Sequence, residues 1–174
     1  MIAHDWQNFY LLIGGASATL VGLMFVAISL GSGLYPPEHL PFLTQSLSPT
    51  FVHFVYVLVT AVIVLVPTVT VTALGGLLVL VGVGSLGYTA ARLAQIRDRY
   101  RQRQIDRSDL VWYALLPSVG YALYCAAGIG LLKAGPGGRA LEVLAAASAL
   151  LLVIGVRNAW DLVVWMVLRR ARPE

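Results

Sequence analysis

Charge is what this chain has least of. Asp, Glu, Lys and Arg together make up 11% of its 174 residues, against roughly 25% in a soluble domain. That shortage excludes a water-soluble globule of this size, which would have too little polar surface to cover itself. Cysteine is nearly absent. Cys125 is the one thiol, so an intramolecular disulfide is excluded and cysteine pairing says nothing of compartment. The opening Met1-Ile2-Ala3-His4-Asp5-Trp6 carries no Lys or Arg. A cleaved signal peptide starts with a positive segment, so the first apolar stretch reads as a mature helix. Also missing are H-E-x-x-H, G-x-S-x-G and the phosphate-cradling loop. His4, His39 and His53 hold no metal-ligand spacing with Cys125. His39 and its neighbour Glu38 read as solvated loop residues. The expectation is a protein that is not an enzyme and that holds no metal or cofactor.

What is present is apolar. Hydrophobic residues make up 59% of the chain, and the mean hydropathy is +0.81. The fold class this implies is all-α: one domain, residues 1–174, forming a polytopic membrane helical bundle with the lipid bilayer as its first partner. The net charge is +4. The basic residues lie in short runs beside apolar segments, which is the pattern of membrane orientation. The motifs of nucleic-acid readers are missing, so no nucleic-acid partner is expected.

A span needs about 20 apolar residues. Five segments qualify, at about 9–31, 49–70, 73–96, 110–132 and 139–168. Residues 32–48 read as a polar loop with Pro36, Pro37 and Pro41, and Ser48-Pro49 as a helix start. The apolar stretch from Phe51 to Ile96 would make a single helix of about 69 Å, too long for a core of about 30 Å. It breaks best at Pro67–Thr72, ahead of Gly75-Gly76. Lys133–Gly138 is a turn. Arg97, Arg99, Arg101, Arg103 and Arg107 fall between spans three and four, and Arg169, Arg170 and Arg172 in the tail. Only Lys133 and Arg139 lie on the other side. Eight basic residues against two place the N-terminus outside and the C-terminus in the cytoplasm. Trp6, Phe9 and Tyr10 then belong to the outer aromatic belt, Trp112 and Tyr113 to the inner one.

The first span is rich in small residues. Gly14, Ala18 and Gly22 recur every four positions, and Gly15, Thr19, Gly22, Val26, Ser29 and Gly33 form a second stripe. These are either a helix-packing seam, as small-xxx-small spacing allows in lipid, or the lining of a narrow pore. Gly82-Val83-Gly84-Ser85-Leu86-Gly87 matches G-x-G-x-x-G, but it lies mid-span rather than between a strand and a helix, so it reads as helix packing. Pro117 should kink the fourth span and free the Tyr113 carbonyl.

The fifth span carries Arg157-Asn158-Ala159-Trp160-Asp161. Ionisable residues inside a span are costly and point to function by default. Arg157 and Asp161 are i,i+4 and can pair. Two depths fit: Arg157 snorkelling near the inner interface, or lying deeper in the core. The five-span arrangement gathers His53, Tyr56, Arg92, Tyr113, Arg157, Asn158 and Asp161 at similar depth. That cluster is suited to relaying protons or binding an anion, or to pinning the bundle as a polar network.

Trp6-x-x-Phe9, the run from Gly14-Gly15-Ala16 through Gly22-Leu23 and Phe25-Val26-Ala27 to Leu30, and Asn158-Ala159-Trp160 resemble a family of small multi-span bacterial proteins. Some of its members are described as modulators of the FtsH membrane protease. The likeness covers the first span well and the fifth in part. It implies the bacterial inner membrane and carries over no catalytic residue. Leu20-Val21-Gly22, Val26-Ala27, Tyr35-Pro36-Pro37 and Val52-His53 are locally similar to the Orai calcium channels. That family has an acidic selectivity residue on its pore helix and four spans, whereas no acid follows Asp5 in the first span here. The functional expectation is a subunit of a homo-oligomeric channel or small-ion transporter. The alternative is a non-catalytic accessory that binds another membrane protein.

Overall fold

Long apolar segments without internal charge can satisfy their backbone polar groups in lipid only as helices, and five helices form. A computed structural model describes residues 4–32, 40–101, 110–135 and 139–170. The helices are α1 (Gln7–Ser32), α2 (Leu40–Leu65), α3 (Val71–Arg101), α4 (Leu116–Ala134) and α5 (Ala140–Arg170). Among the described residues there is no strand. Four helices hold stretches long and apolar enough to cross a membrane: Gln7–Ser29, Val71–Ala91, Val111–Ala134 and Ala140–Val164. The described apolar stretch of α2, Thr50–Leu65, is shorter. Gly33, Pro36, Pro37, Glu38, His39, Arg103, Arg107 and Arg172 lie outside the described residues.

The break inside the long apolar stretch falls where the prolyl ring requires it. α2 ends at Leu65, two residues before Pro67; the residue preceding a proline is disfavoured in helical geometry. α3 restarts at Val71. Thr70 caps it, its Oγ1 accepting the Ala73 N–H at 3.2 Å, which satisfies one of the free amides of the first turn. Gly75 and Gly76 lie inside α3 rather than in the turn. At the end of α4, Gly135 takes φ +69° and donates its N–H to the Leu131 carbonyl. Left-handed geometry of that kind is open to glycine at little cost.

One expectation is corrected here. Residues 40–48 are helical, so α2 starts at Leu40 and not at Ser48. The segment contains no glycine, and Pro41 falls in the first turn, where a missing N–H costs no helix bond. Pro49 is therefore internal to α2. The irregularity expected at Pro117 takes the form of a five-residue π-helical turn, Val111–Leu115, directly ahead of α4. The Leu116 N–H donates to the Val111 carbonyl, and the Ser118 hydroxyl donates to the Ala114 carbonyl at 2.7 Å.

α1 packs along α2 and α3 along α4, and both α2 and α4 lie against α5. The chain is thus two antiparallel helical hairpins docked on a fifth helix. The core runs through their junction and includes Tyr10, Val57, Leu74, Tyr124, Leu144 and Ile154, each almost wholly buried. The α3–α4 seam is the closest. A Cβ added to Gly128 would stand 2.6 Å from the Gly75 carbonyl oxygen and 2.9 Å from the Val79 nitrogen. Only hydrogen at that position lets the two backbones meet, which is how helices gain contact in lipid.

Candidate functional site

The interior of the bundle is polar where the two hairpins and α5 converge. α2 presents Thr50, His53, Phe54, Val57 and Thr60 on one buried face, a helical repeat of three and four. α4 answers with Tyr121 and Tyr124, both buried. The His53 and Tyr121 rings lie 6.0 Å apart, and Tyr56 meets the same tyrosine edge-on at 5.8 Å. Ser85 of α3 donates its hydroxyl to the Tyr56 oxygen at 2.9 Å. The Tyr124 hydroxyl and Ser148 of α5 share a bond at 3.1 Å. Between α1 and α2, the Ser17 hydroxyl donates to the Phe54 carbonyl at 2.6 Å.

Several groups in this interior are left unmatched. His53 Nδ1, both polar atoms of the Asn158 amide and the Tyr10 hydroxyl are buried without a hydrogen-bond partner among the described residues. His53 is 2% exposed and Asn158 1%. A buried polar atom without a partner costs about 1–3 kcal/mol, so such atoms mark places where something else supplies the bond. A Cβ on Gly155 of α5 would meet the Phe54 ring at 2.5 Å, which fixes the level of α5 against α2. Asn158 stands nearly one turn further along α5, level with the Thr50–His53 turn of antiparallel α2.

Arg157 and Asp161 form an ion pair on α5, with side chains 37% and 39% exposed. The Arg157 guanidinium also lies 5.3 Å from the centre of the Trp112 ring. Trp112 belongs to the π-helical turn, a geometry that recurs at functional sites. The expected cluster is held in two sets of contacts: His53 and Tyr56 with Tyr121, and Arg157 with Asp161 and Trp112. Asn158, between Arg157 and Asp161 in sequence, is buried. Tyr113 is half-buried on the π turn. Arg92 lies on α3, but its side chain is outside the described residues.

The small residues of α1 divide. Gly14 is buried, and a Cβ there would meet Ala61 at 2.8 Å. Gly15 and Gly22 have open space beside them, and Ala18, Thr19 and Ser29 are exposed on the outer side of the same helix. In the G-x-G-x-x-G stretch, Gly82 is pressed against Tyr121 and Cys125 while Gly84 and Gly87 face open space. Tyr10, expected in the outer aromatic belt, is fully buried. It shares the α2-facing stripe with Ile13, Gly14 and Ser17, while Trp6 and Phe9 remain half-buried.

Tyr121 and Ser148 were not singled out from the sequence, and Tyr124 and Ser85 were read only as parts of helix-packing faces, yet a signal for the two tyrosines and Ser85 is in the sequence. One constant spacing carries Leu12-x-Gly14-x-x-Ser17 onto Leu80-x-Gly82-x-x-Ser85. The same spacing carries Pro49-Thr50-x-x-His53-x-x-Tyr56 onto Pro117-Ser118-x-x-Tyr121-x-x-Tyr124. Burial follows it at Tyr10, Gly14, Ser17 and His53 and their counterparts Leu78, Gly82, Ser85 and Tyr121, but Phe54, Ala61 and Val64 are buried where Ala122, Ile129 and Leu132 are exposed. Helix packing departs from it too: Gly14 meets Ala61 in the first hairpin, whereas Gly82 meets Tyr121 and Cys125, the counterparts of His53 and Val57, in the second.

Fold and site together define a membrane-embedded helical bundle with a polar interior at the junction of two hairpins. No family model, no curated protein and no solved structure matches this chain.

Proposed function

We propose that the protein is a subunit of a channel or small-ion transporter of the bacterial inner membrane. All five helices cross the bilayer, with the N-terminus outside and the C-terminus in the cytoplasm. The observation that supports this is the pair of unmatched buried groups, His53 Nδ1 and the Asn158 amide. A bundle that only had to pack would replace them with apolar side chains at no loss. His53 lies where the two hairpins meet, its ring 6.0 Å from that of Tyr121. Arg157 is 17 residues into α5, about 26 Å along the helix. In a core about 30 Å thick, that depth puts its pair with Asp161 near the cytoplasmic interface.

The test is flux through purified protein in liposomes, for protons, monovalent cations, calcium and chloride. Flux that Asp161→Asn and Arg157→Gln alter supports the reading and puts the pair at the mouth of the path. Folded protein that passes none of these ions overturns it.

One observation favours a second reading. The outer face of α1 carries Gly15, Ala18, Thr19 and Gly22 with nothing packed on the glycines. Such a face suits close approach by another transmembrane helix, from a second copy or from a partner that the protein serves as a non-catalytic accessory. That reading expects a protein that copurifies and no flux.

A further inference from the structure

His53 of the first hairpin and Tyr121 of the second face one another with ring centres 6.0 Å apart, where the two hairpins meet. Around them Tyr56 and Tyr124 each have a hydroxyl partner, Ser85 and Ser148 respectively, while His53 Nδ1 has none among the described residues. The second hairpin brings a phenol to this contact and the first an imidazole, a group that takes and gives protons near neutral pH.

We propose that His53 is the group that binds and releases the transported ion where the two hairpins meet, and that this ion is the proton. The inference rests on the transport reading above and names its substrate. A metal cation is poorly served here. Among the described residues, the ionisable ring facing His53 is that of Tyr121 on α4, which Tyr56 of α2 also meets, and α5 contributes the neutral Asn158 from the level of the Thr50–His53 turn. The nearest described carboxylate on α5, Asp161, is already paired with Arg157. Among the described residues, no three of His, Cys, Asp and Glu gather.

The step balances without a further reactant than water. The lone pair on Nδ1 takes a proton from a hydronium ion on one side, forming imidazolium and leaving water. The imidazolium then gives a proton to a water molecule on the other side, and the neutral ring is restored. One positive charge has moved. Asn158, with a free acceptor and a free donor at the same buried level, holds the relaying water.

The experiment uses the full chain in liposomes with a trapped pH-sensitive dye. A potassium gradient with valinomycin makes the lumen negative, and protein-free liposomes give the leak. Wild type should acidify the lumen, and His53→Gln should lower the rate at least tenfold. Unchanged acidification in folded His53→Gln overturns the proposal. Flux of sodium, potassium, calcium or chloride without protons also overturns it and leaves the transport reading standing. Flux of no ion overturns both. Should His53→Gln not fold, nitrogen NMR of the imidazole in the wild-type protein decides. Its ring signals should change form with pH between about 4 and 8, and a ring fixed in one form across that range overturns the proposal.

Discussion

His53 on α2 and Tyr121 on α4 face one another with ring centres 6.0 Å apart. Their contact joins two halves that otherwise meet mainly through α5. Around that contact, hydroxyls are satisfied by hydroxyls, while an imidazole nitrogen and an amide are left over. The arrangement is economical in charge and expensive in unmade hydrogen bonds, and several measurements follow from it.

Asn158→Leu should stabilise the folded protein. Leucine has the same branched shape, a larger volume and no polar atoms, so the unmet amide disappears, a gain of about 1 kcal/mol. A higher midpoint in thermal unfolding, together with lost flux, is the expected pair of results. A lower midpoint would mean that the amide has a partner worth keeping.

Gly128→Ala should be costly and Gly84→Ala should not. The first places a carbon against the Gly75 carbonyl and the Val79 backbone, while the second meets nothing within 4 Å. Overpacking of the first kind costs about 1–3 kcal/mol. Gly84→Ala should be neutral, or stabilising by about 0.5–1 kcal/mol through helix propensity. Unfolding in a series of denaturant concentrations compares them directly.

Tyr124→Phe and Ser148→Ala should each destabilise by about 1 kcal/mol, the net worth of one buried hydrogen bond. The double variant should lose less than the sum, because both remove the same bond at 3.1 Å. Additive losses in a double-mutant cycle would show that the two hydroxyls act separately.

Arg157→Gln should cost more than Asp161→Asn. Arg157 loses both its carboxylate and its place 5.3 Å from the Trp112 ring centre, whereas Asp161 loses only the pair. Both side chains are more than a third exposed, so solvent screening holds the ion pair to about 0.5 kcal/mol. The two substitutions together should cost less than their sum, and full additivity would count against the pairing.

Much of the fold was legible because membranes demand long uninterrupted helices. Pro67 marked the break between α2 and α3, and Gly135 the end of α4. The site was legible in part. His53, Asn158, Arg157 and Asp161 stand out as polar residues in apolar surroundings. Their partners do not, because Tyr121 and Ser148 are reached through helices distant in sequence, and the order of packing around α5 is a property of the whole bundle. The facing of α1 was also hidden. Its sides are almost equally apolar and small, so nothing in its composition says that Gly14 and Ser17 turn inward while Gly15 and Gly22 turn out. The early start of α2 escaped because prolines were read as loop markers, although the first turn of a helix accepts one.

The connections between the three packing units all lie at one end. Val66–Thr70 joins the first hairpin to the second, and Gly135–Arg139 joins the second to α5. Among the described residues no chain crosses between units toward the other end, where Trp112 and Arg157 meet. The bundle is thus bound like a book along a single spine. Any separation of the hairpins spreads the unbound edge first, and parts Trp112 from Arg157 before it reaches Tyr10.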